Sequence, residues 1–242
     1  MEGGAFITLN QLAYGQPTIE QRMMMDDGTQ FEEHVKLFEN TPYPENVSPD
    51  AKKETYEVQS KIEKLQDAEW RSRCFFIDKQ LGMYLNGYAQ KAGMKSFKQI
   101  FDQVNHLYLN SLIYRIKYHY NRIRPNQLGY YLKIKINSAN TTTGHTPSYP
   151  SGHTLQAHFY TRLISDVMGV PWSDEPTREV AASRMSMGIH FKSDNDFAVQ
   201  ISNYLLESEE YLKLVEEIKK QLNVWDVQRQ ARPFAKRENG DL

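Results

Sequence analysis

Residues 147–154 read Pro-Ser-Tyr-Pro-Ser-Gly-His-Thr (PSYPSGHT). Two prolines and a glycine make this stretch a loop. The residues that follow, 153–168, have helical periodicity and stop at Gly169, with Pro171 beyond. The stretch is a loop-to-helix junction, with Ser151, Gly152 and His153 at the helix start. Free N–H groups and the positive end of the helix dipole meet there. Working outward, Ser48–Pro49 opens a helix. A second helical stretch covers about 67–91. A third covers about 96–123, with Ser96 as cap, and ends near Arg124 because Pro125 disfavours helix in the residue before it. The alternating segment YLKIKI (131–136) is read as a short strand. Residues 173–188 hold a short helix capped by Ser173 or Asp174, and 193–221 a long amphipathic one. The expected fold is all-α, a single-domain helical bundle. It comprises an irregular N-terminal extension (1–48), a helical domain (49–225) and a loose C-terminal tail (226–242).

The chain has 242 residues, 40% apolar and 24% charged, enough for a sizeable core. One cysteine, Cys74, allows no intramolecular disulfide and is expected to be buried; this fits a reducing compartment. No secretory signal and no uncharged apolar run of about 18 residues is present, so a soluble, cytoplasmic protein without a membrane segment is expected. The net charge of −1 gives no argument for nucleic acid. Charge is nevertheless segregated. From Gln103 to Ser165 there is no Asp or Glu, whereas Arg115, Lys117, Arg122, Arg124, Lys133, Lys135 and Arg162 lie there with five of the seven histidines. Folded onto one face, such a segment attracts anions; the alternative is a solvated basic helix face. Lys117 and Arg124 are two helical turns apart and are expected on one side of the helix. Arg122 is expected elsewhere, in solvent.

Three blocks stand in order: KYHYNRIRP (117–125), PSGH (150–153) and SRMSMGIHFKSD (183–194). As spacings they are K-x(6)-R-P, P-S-G-H and S-R-x(5)-H-x(3)-D. Over about residues 110–200 this signature resembles the superfamily of type 2 phosphatidic acid phosphatases, class A bacterial acid phosphatases and vanadium haloperoxidases. SYPSGHT and H-x-x-S-D look most like the soluble class A acid phosphatases, although the secretion signal and disulfides usual there are missing. The resemblance implies the matching helical-bundle fold. It also implies a phosphatase with His190 as the nucleophile forming a phosphohistidine and His153 as general acid, then base.

The chemistry of each block is also legible on its own. A phosphoryl group in transfer spreads negative charge over three oxygens, so catalysis is mostly positioning and electrostatics. Lys117, Arg124 and Arg184 supply cations, Ser151 a hydroxyl, and Gly152 a backbone N–H without a Cβ in the way. No metal or other cofactor is then required. Asp194, four residues after His190, can accept its second N–H and fix the tautomer, whereas Asp196 lacks the motif spacing. Ser183 is expected to bond backbone and His158 to pack, while His145, in a loop, is a candidate to reach a substrate. A zinc site from His153, His158, His190 and Asp194 has the ligand types but not a zinc-type spacing. The expected partner is a small phosphorylated substrate rather than nucleic acid; a homodimer is left open. The alternatives are a vanadate-dependent haloperoxidase, with vanadate as cofactor, and a non-catalytic anion-binding module.

Overall fold

A computed structural model describes Thr8 and residues 11–231, with side chains to residue 222. The fold is all-α, and there is no strand among the described residues. The helices are α1 (Ile19–Asp26), α2 (Glu32–Val35), α3 (Pro49–Ile62), α4 (Ala68–Lys79), α5 (Leu81–Lys91), α6 (Phe97–Val104), α7 (Asn110–Tyr120), α8 (Pro125–Leu132), α9 (Gly152–Met168), α10 (Glu175–Ser186), α11 (Lys192–Leu206) and α12 (Glu209–Ala231). Their starts follow local chemistry. Thr18 and Gln21 form a capping box on α1, Ser48 Oγ accepts from Ala51 N ahead of Pro49, and Asp67 accepts from Trp70 N. Among the described residues no helix is long and apolar enough to cross a membrane.

Helix α9 is the axis of the bundle and packs against α5, α10, α11 and α12. Leu155, Ala157, Phe159, Tyr160, Leu163 and Ile164 are buried, so the helix is covered on nearly every side. Truncating Leu163 to alanine would cost about 2–5 kcal/mol through lost transfer energy and the cavity left behind. The N-terminal segment contributes more than irregular coil: it holds α1, and Phe31, Val35 and Phe38 join the central core.

The 153–168 helix forms unbroken as α9, but three other long stretches read from periodicity are each broken at a specific place. The 67–91 stretch turns at Gln80, whose φ of −136° and ψ of 41° are not helical. The 96–123 stretch passes through a π-helical turn, Asn105–Leu109, and ends where Asn121 adopts φ 49°. Asparagine tolerates this left-handed conformation better than most residues. The 193–221 stretch breaks at Glu207–Ser208, where Ser208 Oγ accepts from Tyr211 N at 3.2 Å and starts α12. Helix α12 runs past the boundary expected at residue 225; residues 232–242 of the expected tail lie outside the described part. The strand expected at 131–136 does not form. Lys133 turns left-handed (φ 58°), and Ile134 N donates to Gly129 O at 2.8 Å, closing α8. A Cβ on Gly129 would lie 2.6 Å from Ile134 O, so only glycine admits this closure.

Candidate active site

The three sequence blocks converge at the start of α9. Backbone hydrogen bonds knit them: Ser148 N donates to Arg122 O, and Ser151 N to Asp194 O, both at 2.9 Å. Gly188, at φ 71°, turns the chain from Arg184 on α10 toward His190. A Cβ there would approach Ser138 Cα to 3.1 Å, so the turn needs glycine on both counts. The result is a pocket of about 330 Å³ whose walls include Lys117, Arg124, Gly152, His153, Arg184 and His190.

His190 is buried, and its Nδ1 lies 3.0 Å from Asp194 Oδ2. A carboxylate accepts, so Nδ1 carries the proton and Nε2 the lone pair. Asp194 sits in the first turn of α11, where Oδ2 also accepts from Phe191 N at 2.9 Å. One residue thus caps the helix and orients the ring. On the other side, Nε2 is 3.1 Å from Arg124 Nη1. Burial, then the neighbouring Arg124, Lys117 and Arg184, hold the His190 ring far below the usual histidine range. It is a neutral imidazole at neutral pH.

His153 is held differently. Its Nε2 lies 3.1 Å from the backbone oxygen of Asp78. A carbonyl only accepts, so Nε2 carries a proton and Nδ1 is the nitrogen left for exchange. Burial, then Arg184, push this histidine down to about 3.

The cations divide into paired and unpaired. Arg184 Nη1 meets Asp78 Oδ1 at 2.5 Å, and its Nη2 donates to Thr143 Oγ1 at 2.8 Å. Asp78 also accepts from the Thr141 and Thr143 hydroxyls. Burial works to raise the Asp78 carboxyl, but Arg184 and these hydroxyls hold it below the usual range. Lys117 and Arg124, by contrast, have no salt-bridge partner among the described residues. Lys117 Nζ donates to the carbonyls of Pro147 (2.7 Å), Pro150 (2.6 Å) and, at 3.4 Å, Ser148. Arg124 donates from Nε to Thr146 O (2.8 Å), from Nη1 to Ile189 O (2.7 Å) and from Nη2 to Thr146 Oγ1 (3.2 Å). Burial pushes Lys117 far down, with Arg124 adding to it; burial and Arg184 push Arg124 down to about 10. Two buried cations without carboxylates are costly to hold, and a dianion in the pocket would offset that cost.

Most sequence-predicted site residues are brought together, by a route that differs from the expected one. Lys117 and Arg124 do not share a helix: α7 ends at Asn121, and extended backbone at Arg124 (φ −81°, ψ 160°) turns its side chain inward. Arg122 is not in solvent. It is 1% exposed, and its Nη1 lies 2.6 Å from Asp194 Oδ1 and its Nη2 3.1 Å from Glu54 Oε2. Two carboxylates and the faces of Phe191 and Tyr43 compensate its burial. The Ser151 hydroxyl is not on the pocket wall; it lies 2.9 Å from Thr154 Oγ1 instead. At Gly152 an added Cβ would sit 3.4 Å from Ile113 and 3.7 Å from Lys117, so the backbone passes close to the lysine stem. The N–H groups of this first turn have no side-chain cap. His145 is exposed on the rim, and Ser183 donates to Val180 O as expected. His158 bonds Ser202 and packs on Trp172, outside the pocket, so the conceivable zinc quartet is not assembled. Asp196 pairs with Lys192 on the surface.

Sequence reasoning missed Asp78, Thr143 and Thr146. Asp78 carried a signal: it is an acidic residue ending the apolar run CFFI. The threonines lie in a loop whose composition gives no such mark. Comparison of the chain with models of known protein families and with curated proteins finds no match.

Proposed function

We propose that the protein is a metal-independent phosphatase that hydrolyses phosphate monoesters through a phosphohistidine at His190. The observation that carries this reading is the disposition of two histidines on one cationic pocket. His190 presents Nε2 with its Nδ1 proton held by a carboxylate, and His153 lines the same pocket as Lys117, Arg124 and Arg184. The resemblance of the three sequence blocks to the acid phosphatase and haloperoxidase superfamily supports the same reading.

In the first step the Nε2 lone pair attacks phosphorus, an N–P bond forms and the ester P–O bond breaks. The departing oxygen takes the proton from His153 Nδ1. The charge gained by the His190 ring is stabilised by Asp194, and Arg122 holds Asp194 in place. In the second step water attacks phosphorus, His153 takes its proton, the N–P bond breaks and inorganic phosphate leaves. An alcohol in place of water gives phosphotransfer. The dianion that binds also reverses the electrostatics: it screens Arg184 and Lys117 from His153 and lets that ring hold a proton. Lys117, Arg124, Arg184 and the helix N-terminus supply the positive charge that a metal supplies in other phosphoryl transferases.

The test is phosphate release from nitrophenyl phosphate with EDTA and with vanadate. Activity is expected to survive EDTA and to be blocked by vanadate, which adopts the trigonal-bipyramidal form of the transferring phosphoryl group. Loss in EDTA restored by a divalent cation contradicts the metal-independent reading. Bromide oxidation by peroxide with added vanadate, without phosphate release, favours a haloperoxidase.

A further inference from the structure

A second cavity, of about 430 Å³, adjoins the cationic pocket, and His153 is on the wall of both. Thr143 and Gln156 are shared as well; His190 lines only the cationic pocket. In an in-line displacement the leaving oxygen departs opposite the nucleophile. Whatever is bonded to that oxygen lies beyond the acid that protonates it, on the side away from His190. The second cavity, walled by His153 but not by His190, is the space that adjoins the acid and could receive that body.

Its walls are apolar where α5 meets α6: Leu81, Gly82, Met83 and the Phe101 ring. A Cβ on Gly82 would come within 3.0 Å of the Phe101 ring, so the glycine lets the aromatic face approach α5. The break at Gln80 and the π-helical turn at Asn105 set this wall. Near the shared side, Gln156 Nε2 donates to Asn105 Oδ1 at 2.8 Å, so part of the polar wall is satisfied internally. At the rim Lys98 and Asp102 neutralise each other at 2.8 Å. Lys79 is exposed on the same wall, and Asp78 on the shared side is paired with Arg184. The cavity therefore offers mainly apolar contact, with the one charge unpaired among the described residues facing solvent.

Resting on the phosphatase reading, we infer that this cavity holds the leaving group, and that the preferred substrates are monoesters of alcohols carrying an uncharged, apolar, ring-sized body.

The test measures phosphate release by the full chain from ethyl phosphate and naphthylethyl phosphate, two alkyl esters whose leaving oxygens are alike. Burying the aromatic body is expected to raise kcat/KM for the naphthylethyl ester about ten- to a hundredfold over the ethyl ester. Two variants check the location. Asn86→Trp fills the cavity from α5, and Met83→Asp puts a charge on its exposed wall. Each should lower the preference by about fivefold or more. Equal kcat/KM for both esters, or a preference that neither variant changes, overturns the pocket and leaves the phosphatase reading standing. Hydrolysis of neither ester overturns both.

Discussion

The two sides of the pocket use the same parts differently. Each has a buried aspartate paired with a buried arginine: Asp194 with Arg122 at 2.6 Å, Asp78 with Arg184 at 2.5 Å. On the His190 side the carboxylate itself touches the ring. On the His153 side the ring meets only the backbone oxygen of Asp78, whose carboxylate is committed to Arg184 and two threonine hydroxyls. A carboxylate both orients a ring and stabilises positive charge on it; a carbonyl mainly orients it. On the proposed mechanism His190 becomes cationic on phosphorylation, and the Asp194 carboxylate already in contact with the ring supports that charge. His153, on the same proposed mechanism, has only indirect support, from an Asp78 carboxylate already committed to Arg184, and needs the incoming dianion to hold its proton.

Exchanging each carboxylate for its amide sharpens the contrast most. Asp194→Asn should lower kcat by about 10³-fold or more, because the amide can present a donor to Nδ1 and select the wrong tautomer. Asp78→Asn keeps the carbonyl that holds His153, so kcat should fall less. Its main cost is stability, about 3–5 kcal/mol by urea unfolding, because Arg184 is left buried without its partner. Equal losses in kcat would erase the distinction between the two sides.

His153→Ala comes next. General acid catalysis contributes about 10²- to 10⁴-fold, so an alkyl phosphate should lose that much. Nitrophenyl phosphate, whose leaving group needs no proton, should lose far less. Equal losses on the two esters, from initial rates at one pH, would remove the acid role.

The smallest effect is in stability against pH. His153 is pushed from its ordinary 6.5 down to about 3 and His190 is shifted the same way, while burial pushes His158, outside the pocket, down to about 4. Between those values the unfolded chain binds more protons than the folded one, so stability falls as pH drops through that window. Tm should decline below about pH 6.5, and saturating phosphate should reduce the decline by favouring the protonated rings in the fold. A decline that phosphate leaves unchanged would mean that the anion does not reach these histidines.

The fold class was legible because apolar periodicity and caps such as Ser48 and Asp67 are local. The breaks at Gln80, Asn121 and Ser208 were not, because tertiary packing decides which turn of a periodic run unwinds. YLKIKI alternates as a strand does, yet among the described residues no strand pairs with it, and α8 takes its first residues. In the site, Lys117, Arg124, Gly152, His153, Arg184 and His190, with Asp194 behind His190, were legible because each stands in a short block of fixed spacing, although the helix expected to carry both Lys117 and Arg124 ends between them. Asp78 reaches Arg184 across 106 positions, and no local pattern marks such a pair. Arg122 was misjudged for the same reason: Asp194 and Glu54 come from α11 and α3.

The central claim is the covalent bond from His190 Nε2 to phosphorus. Rapid quenching of the protein in base after mixing with labelled nitrophenyl phosphate, followed by peptide mass analysis, tests it directly. The account predicts an acid-labile, base-stable phosphoryl group on His190, absent from His190→Ala and still formed by His153→Ala. Label on another residue, or turnover with no trapped phosphoenzyme at any time, would contradict it.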